Sequence, residues 1–121
     1  MPERLTFKEM CARYDVTPRT LRYYEYIELL SPEKEGRSRF YGPRELARMT
    51  LILRGRRWGF SLEGIRQWLD IYEKSGTEEQ SRAFLEAATS QLEVLEQEQV
   101  NLAETIADLK KIREEVQQTL E

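Results

Sequence analysis

The stretch 77–121 contains neither glycine nor proline and repeats its apolar residues at alternating steps of three and four. The register runs Leu85, Ala88, Leu92, Leu95, then Gln99, then Leu102, Ile106, Leu109, then Arg113, then Val116 and Leu120. This is a heptad repeat, broken at the polar positions Gln99 and Arg113. It predicts one helix over residues 78–119, about 60 Å long at ~1.5 Å per residue. Thr77-Glu78-Glu79-Gln80 offers a capping box for its start. Such a helix is too long to fold back on the small remainder of the chain. Its leucine seam needs a cover, and a second copy of the same helix is the simplest one. The nine apolar seam residues, Leu85 to Leu120, are therefore the expected homodimerisation surface. The organisation that follows is a head over residues 1–73, a hinge at 74–77 around Lys74-Ser75-Gly76, and a dimerisation helix over 78–121.

Charge separates the same two parts. The whole chain carries a formal net charge of −3, which does not suggest a nucleic-acid binder. Residues 1–76, however, hold 15 Lys+Arg against 11 Asp+Glu, a net of +4, and residues 77–121 hold 4 against 11, a net of −7. A basic head is joined to an acidic helix.

Within the head, Thr6-Phe7-Lys8-Glu9 fits a capping box, and Phe7, Met10, Cys11 and Tyr14 then mark one apolar helix face. Asp15-Val16 is a short turn. A second helix opens on Thr17 and Pro18, a hydroxyl cap and a residue suited to the first helical position, and ends near Tyr26. Two helices joined this tightly form a helix-turn-helix. Arg19 and Arg22 share a face of the second helix, with Tyr23 and Tyr24 beside them. Hydroxyls, guanidiniums and phenols at a helix start suit phosphates and base edges.

Residues 31–41 read as a small β wing that turns at Gly36 and carries Arg37, Arg39 and Tyr41 on its second arm. A third helix opens at Gly42-Pro43, with Leu46, Met49, Thr50 and Leu53 as its expected buried stripe and Arg54, Arg56 and Arg57 at its end. Trp58-Gly59-Phe60 breaks it. Ser61 caps a fourth helix whose expected inner face is Leu62, Ile65, Leu69 and Tyr72. The head thus holds a second helix pair, 43–57 and 61–72. The fold class is mainly α: a winged helix-turn-helix head with a small β wing, a second helix pair and a long C-terminal dimerisation helix.

Several function classes fall away. The chain has no histidine and one cysteine, Cys11, so the commonest general base and the usual metal-ligand sets are missing. Neither an enzyme nor a metal or cofactor site is expected. No apolar stretch approaches ~18 residues, so no membrane span is expected, and the N-terminus lacks the apolar core of a secretory signal. A single cysteine fits a reducing, cytoplasmic setting.

Taken in order, Val16-Thr17-Pro18-Arg19-Thr20-Leu21-Arg22-Tyr23-Tyr24-Glu25, Leu29-Leu30-Ser31-Pro32, Arg39-Phe40-Tyr41 and Arg57-Trp58-Gly59-Phe60-Ser61-Leu62-Glu63-Gly64-Ile65 resemble the MerR family of bacterial transcriptional regulators. The stretch from Leu51 to Leu62 is also similar to the short LiuR-like members. The resemblance implies a homodimer joined by an antiparallel coiled coil, each head placing the Thr17–Tyr26 helix in a major groove of double-stranded DNA. It maps Thr17, Arg19, Thr20 and Arg22, with Pro18 at the same helix start, onto base- and phosphate-contacting positions. Tyr23 and Tyr24 fall on a backbone-gripping tyrosine pair. Arg37, Arg39 and Tyr41 match wing contacts to flanking phosphates, and Arg56 matches a phosphate clamp. Family members distort promoters whose spacer is too long, so RNA polymerase is an indirect partner. Gly42 and Gly64 depart from the commoner cap residues at the third and fourth helix starts. The chain shows neither the sensor cysteines nor the extra domain that other members carry after the long helix, so metal sensing by that route is not expected.

The residues alone leave alternatives. The basic head could dock on an acidic protein partner, with the coiled coil as a general interaction module. Cys11 is a small thiol on an apolar helix face or a redox switch. Trp58, Phe60 and Trp68 are core of the second helix pair or the lining of an effector pocket.

Overall fold

Local chemistry sets the first two helices. The computed structural model describes residues 3–74 and 76–121. Strand β1 (Leu5–Thr6) runs straight into α1 (Phe7–Tyr14). Thr6 Oγ1 accepts from the Glu9 N–H at 3.2 Å while Glu9 Oε1 accepts from the Thr6 N–H at 2.9 Å, a complete capping box. Asp15 ends α1 in the left-handed region at φ 51°. Helix α2 (Pro18–Tyr26) starts at Thr17, whose Oγ1 accepts from the Thr20 N–H at 3.1 Å, with Pro18 in the first turn, where a missing N–H costs nothing.

The wing is β2 (Glu33–Glu35) and β3 (Ser38–Tyr41), turning at Gly36, whose φ of 61° favours a residue without Cβ. The sheet has three strands, not two. Its order is β1-β3-β2, both pairs antiparallel, with Leu5 opposite Tyr41 and Thr6 opposite Phe40. Two residues ahead of a helix cap show no alternation by which β1 could have been foreseen.

Helices α3 (Pro43–Arg57) and α4 (Leu62–Lys74) form the second pair. Gly42 gives α3 no side-chain cap, whereas Ser61 Oγ accepts from the Gly64 N–H at 3.1 Å at the start of α4. The break between them is at Gly59, with φ 87°. The buried side of α3 differs from the expected stripe. Met49 is buried, but Leu46 and Leu53 are only partly so, and Thr50 is exposed with its hydroxyl on the Leu46 carbonyl at 3.1 Å. Glu45, Arg48, Leu51, Ile52 and Gly55 take the inner positions. Charged residues occupy them because each is paired: Arg48 to Glu73 and the Leu29 carbonyl, Glu45 to Arg44 and the Ser31 N–H. On α4, Ile65 and Leu69 are buried as expected and Leu62 is half-buried, but Tyr72 is 66% exposed. The next inward position after Leu69 is Glu73, one helical turn on, where it meets Arg48.

One core joins these elements: Leu5, Met10, Leu21, Tyr24, Leu29, Leu30, Tyr41, Met49, Leu51, Ile52, Ile65 and Leu69. Trp68 and Phe60 pack against it. Trp58 lies edge-on to Phe60 (centroids 5.6 Å apart) and tilted to Trp68 (4.8 Å), so the aromatic trio belongs to the packing of α3 on α4.

Packing divides the chain into two units, Met1–Ser81 and Arg82–Glu121. Helix α5 (Glu78–Thr119) starts on the anticipated capping box, Thr77 and Gln80 exchanging bonds of 3.0 and 3.1 Å. No residue of α5 is buried. Leu120, the last seam residue, lies one position beyond its end. The middle of the expected hinge, Ser75, lies outside the described residues, as do Met1 and Pro2 at the start of the expected head. Among the described residues, no helix is long and apolar enough to cross a membrane.

At Gly55 the α3–α4 crossing leaves no room for a side chain, since an added Cβ would stand 2.7 Å from Ile65 Cγ1. Gly55→Ala should therefore lower unfolding stability by about 1–3 kcal/mol, the usual range for overpacking, despite alanine's better helix propensity. Urea denaturation of both forms measures this, and an equal or more stable variant would contradict the close crossing.

Candidate nucleic-acid interface

One face of α2 is buried and the other is free. Leu21 and Tyr24, three residues apart, point into the core, which turns Arg19, Arg22 and Tyr23 outward. Thr17 and Pro18 are exposed at the start of the helix and Thr20 is half-buried. The hydroxyls of Thr17 and Thr20 also lie 2.9 Å apart, so both serve the cap.

A cleft of about 750 Å³ opens beside this face, lined by Arg19, Thr20, Arg22, Tyr23, Tyr24 and Tyr26 from α2, Arg56 from α3, and Phe60 to Leu62 at the start of α4. Arg56 Nη1 donates to the Tyr24 hydroxyl at 2.7 Å. One donor of Arg56 is thereby fixed, and the rest of the guanidinium is left at the cleft wall.

A second cleft of about 350 Å³ lies between the start of α1, α2 and the wing, lined by Thr6, Phe7, Lys8, Arg22, Arg37, Ser38, Arg39 and Phe40. The Phe7 ring sits between two cations, Arg22 at 5.5 Å and Arg39 at 5.3 Å from its centroid. Glu25, at the far end of α2, ties the wing to that helix. Its Oε1 lies 3.4 Å from Arg39 Nη1, and its Oε2 accepts a short hydrogen bond from the Tyr41 hydroxyl. Arg39 and Tyr41 are two apart on a strand and share a face, so both reach one carboxylate.

The structure brings most of the expected contact set to one surface: Thr17, Pro18, Arg19, Thr20, Arg22, Tyr23, Arg37, Arg39 and Arg56 border these two clefts or the adjoining helix start. Two members are buried. Tyr41 is 0% exposed and Tyr24 1%. Tyr41 is the inward residue opposite Leu5 in the sheet, and Tyr24 lies on the core side of α2. The Tyr41 hydroxyl holds Glu25, and the Tyr24 hydroxyl, at the edge of the first cleft, holds Arg56. Phe7 and Lys8 join the surface unforeseen. Periodicity placed Phe7 on an apolar face, and nothing local signals that two guanidiniums flank it. Cys11 is half-buried, and burial pushes its thiol above the ordinary value, offset by Arg22 and reinforced by Glu25. The thiolate that ready oxidation requires is accordingly disfavoured.

Comparison with known proteins agrees in kind. A family profile described as MerR HTH family regulatory protein matches residues 5–71, and one described as MerR, DNA binding matches residues 46–118. The HTH-type transcriptional regulator ZntR of Escherichia coli K12 is 42% identical over 65 residues, 52% of this chain and 46% of that protein, so the match spans about half the length of that relative. A MerR-family transcriptional regulator from Bacillus cereus superposes with a TM-score of 0.71 at 31% identity, covering 95% of this chain and 84% of the other. HiNmlR, a MerR family regulator lacking the sensor domain and bound to promoter DNA, has a TM-score of 0.59 at 21% identity over 79% of this chain and 75% of the other, a likeness of fold.

The Tyr41 phenol is raised far above its ordinary value of 10.0, first by burial and then by the hydrogen bond and negative charge of Glu25. Below about pH 10 it is protonated whether the chain is folded or not. Above that, the unfolded chain releases a proton that the folded chain keeps, so this contribution to stability is whole below pH 10 and is lost as pH rises further. Tyr41→Phe should flatten part of the alkaline fall in melting temperature. Identical falls in the two proteins between pH 9 and 12 would refute the assignment.

Proposed function

The chain belongs to the MerR family of helix-turn-helix regulatory proteins, and from that premise we propose that it binds double-stranded DNA as a homodimer and regulates transcription. Helix α2 enters a major groove, with Arg19 and Arg22 as the base- and phosphate-reading residues and Thr17, Pro18, Thr20 and Tyr23 around them. Arg37 and Arg39 of the wing and Lys8 of α1 lie along the flanking backbone, and Arg56 grips a phosphate on the other side of α2. The two heads act on the halves of a palindromic promoter element and distort its spacer, so RNA polymerase is affected indirectly. The setting of this action is the cytoplasm. The curated relatives that the chain matches are transcriptional regulators, which accords with a chain that binds rather than catalyses.

The distribution of ion pairs carries this reading. Carboxylates pair with Arg4, Arg13, Arg44, Arg48 and Arg66, and Glu25 takes one nitrogen of the Arg39 guanidinium, Nη1. Among the described residues no such ion pair is found at Arg19, Arg22, Arg37 or Lys8, and Arg22, Arg37 and Lys8 line one cleft. Cations left unpaired on one surface await an anion with repeated charges, and guanidiniums match both phosphates and guanine edges. A head that docks on an acidic protein partner is not favoured, since the second matching profile describes DNA binding.

The homodimer rests on α5. Leu85, Leu92, Leu102, Ile106, Leu109 and Val116 are between 46% and 67% exposed along one heptad seam, and Leu95 is 37% exposed. A row of apolar residues this regular is covered most simply by its own copy. The antiparallel direction is taken from the family.

Selecting genomic fragments on the purified protein and footprinting them tests the reading; a protected palindrome is expected, and binding without sequence preference at modest salt counts against it. Arg19→Ala should weaken the selected site by ~1–3 kcal/mol and relax the preference at one base position. Lys8→Ala should weaken selected and scrambled duplexes alike and reduce the slope of log affinity against log salt by about 0.9 per head. Leu95→Asp or Leu109→Asp should give monomers in sedimentation and lower operator affinity more than either head variant. Dimers in both cases would contradict the seam.

A further inference from the structure

Three backbone groups in the segment that leaves the recognition helix are taken by side chains of the second helix pair. The carbonyl of Ile27, the C-cap of α2, accepts a short hydrogen bond from Arg66 Nη2 on α4. The Leu29 carbonyl accepts from Arg48 Nε on α3 at 2.8 Å. The Ser31 N–H donates to Glu45 Oε2 at 2.9 Å. Arg48 is fixed in turn, since its Nη1 donates to Glu73 Oε2, in the last turn of α4, at 2.8 Å. Between the two held carbonyls, Glu28 adopts a left-handed φ of 64°, so the chain turns sharply between fixed points.

These bonds differ from ordinary core packing in where they end. A helix leaves its last carbonyls without partners in its own ladder, and cations suit that end of the dipole. Here the cations come from other helices. The Arg48 side chain is 7% exposed, so water screens its bonds little. All of them act on residues 27–31, the stretch that fixes where α2 stops and how it is tilted.

We propose that Arg66 and the Arg48–Glu73 pair are positioning residues for DNA recognition. They hold the exit of α2 from α3 and α4, and so set the angle at which Arg19 and Arg22 meet base edges. The proposal rests on the DNA-binding reading above. It assigns sequence discrimination to these contacts and leaves general attraction to phosphate with Lys8, Arg37 and Arg56. A displacement of α4 carries Arg66 with it and shifts Glu73, the carboxylate that fixes Arg48, so α4 reaches one carbonyl anchor directly and the other through its ion pair.

The test uses the full chain as wild type, Arg66→Met, Arg66→Lys and Glu73→Gln, with Ile65→Val as a control for lost stability. Each is titrated over a salt series with the duplex recovered by genomic selection and with a scrambled duplex of equal length, and each is melted. Arg66→Met should lose about tenfold in the ratio of the two affinities, the scale of one charge-assisted hydrogen bond, with its salt slope unchanged. Arg66→Lys should recover part of that ratio. Glu73→Gln, which leaves Arg48 its bond to Leu29, should lose less than Arg66→Met. Ile65→Val should lower the melting temperature and keep the ratio. An unchanged ratio in Arg66→Met, or the same loss of ratio in the Ile65→Val control, overturns the proposal while the DNA-binding reading stands. A wild-type chain that binds both duplexes equally overturns both.

Discussion

The burial of one side of a nine-residue helix governs the head. Leu21 and Tyr24 commit α2 to the core, and that commitment leaves its arginines no inward alternative. Everything around α2 then fixes its remaining freedom. Thr17 fixes the start, Arg66 and Arg48 fix the exit, Arg56 holds the Tyr24 hydroxyl, and Glu25 holds the wing through Arg39 and Tyr41. A helix that reads base edges needs this, because hydrogen bonds to bases discriminate only within a few tenths of an ångström and a few tens of degrees.

The arginines of the head divide into two populations that composition does not separate. Arg48, Arg66 and Arg44 bind carbonyls and carboxylates within the fold. Arg19, Arg22 and Arg37 face solvent. The head's net charge of +4 is therefore an incomplete guide. The field a phosphate meets depends on which cations are already neutralised, and pairing is decided by tertiary contacts. The same reasoning explains why a chain with a net charge of −3 presents a basic surface: its acidic excess lies in residues 77–121.

Features set by neighbours in sequence were readable in advance. The capping boxes at Thr6 and Thr77, the Thr17-Pro18 start, the turn at Gly36 and the break at Gly59 each rest on groups within a few residues of one another, and each is found. What was not readable depends on distant partners. Tyr41 and Tyr24 look like surface phenols by type, but Leu5 and the core claim their rings. Glu45 and Arg48 look like surface charges until Ser31, Leu29 and Glu73 are brought to them. Phe7 packs against the core as its helix face implies, and only the folded wing shows that its ring also meets Arg39. Apolar periodicity finds only apolar positions of a helical stripe, whereas a charged residue whose bonds are all met inside packs in the same place.

Affinity and discrimination are carried by different parts of such a molecule. One head offers a short helix and a few cations, and contacts of that number give weak, salt-sensitive binding. In the proposed homodimer, joining two heads through α5 makes the second engagement intramolecular, and the effective concentration, often millimolar for a short linkage, multiplies affinity with no new contact to DNA. On the proposed reading the exposed seam of α5 is as much a part of DNA binding as Arg19. Its polar breaks at Gln99 and Arg113 lower the stability of the paired helices but disfavour shifted alignments that would bury them differently. In the proposed dimer the spacing of two heads is what a pair of half-sites meets, so register along α5 and tilt of α2 are two settings of one instrument, the first choosing the distance between half-sites and the second the bases within each.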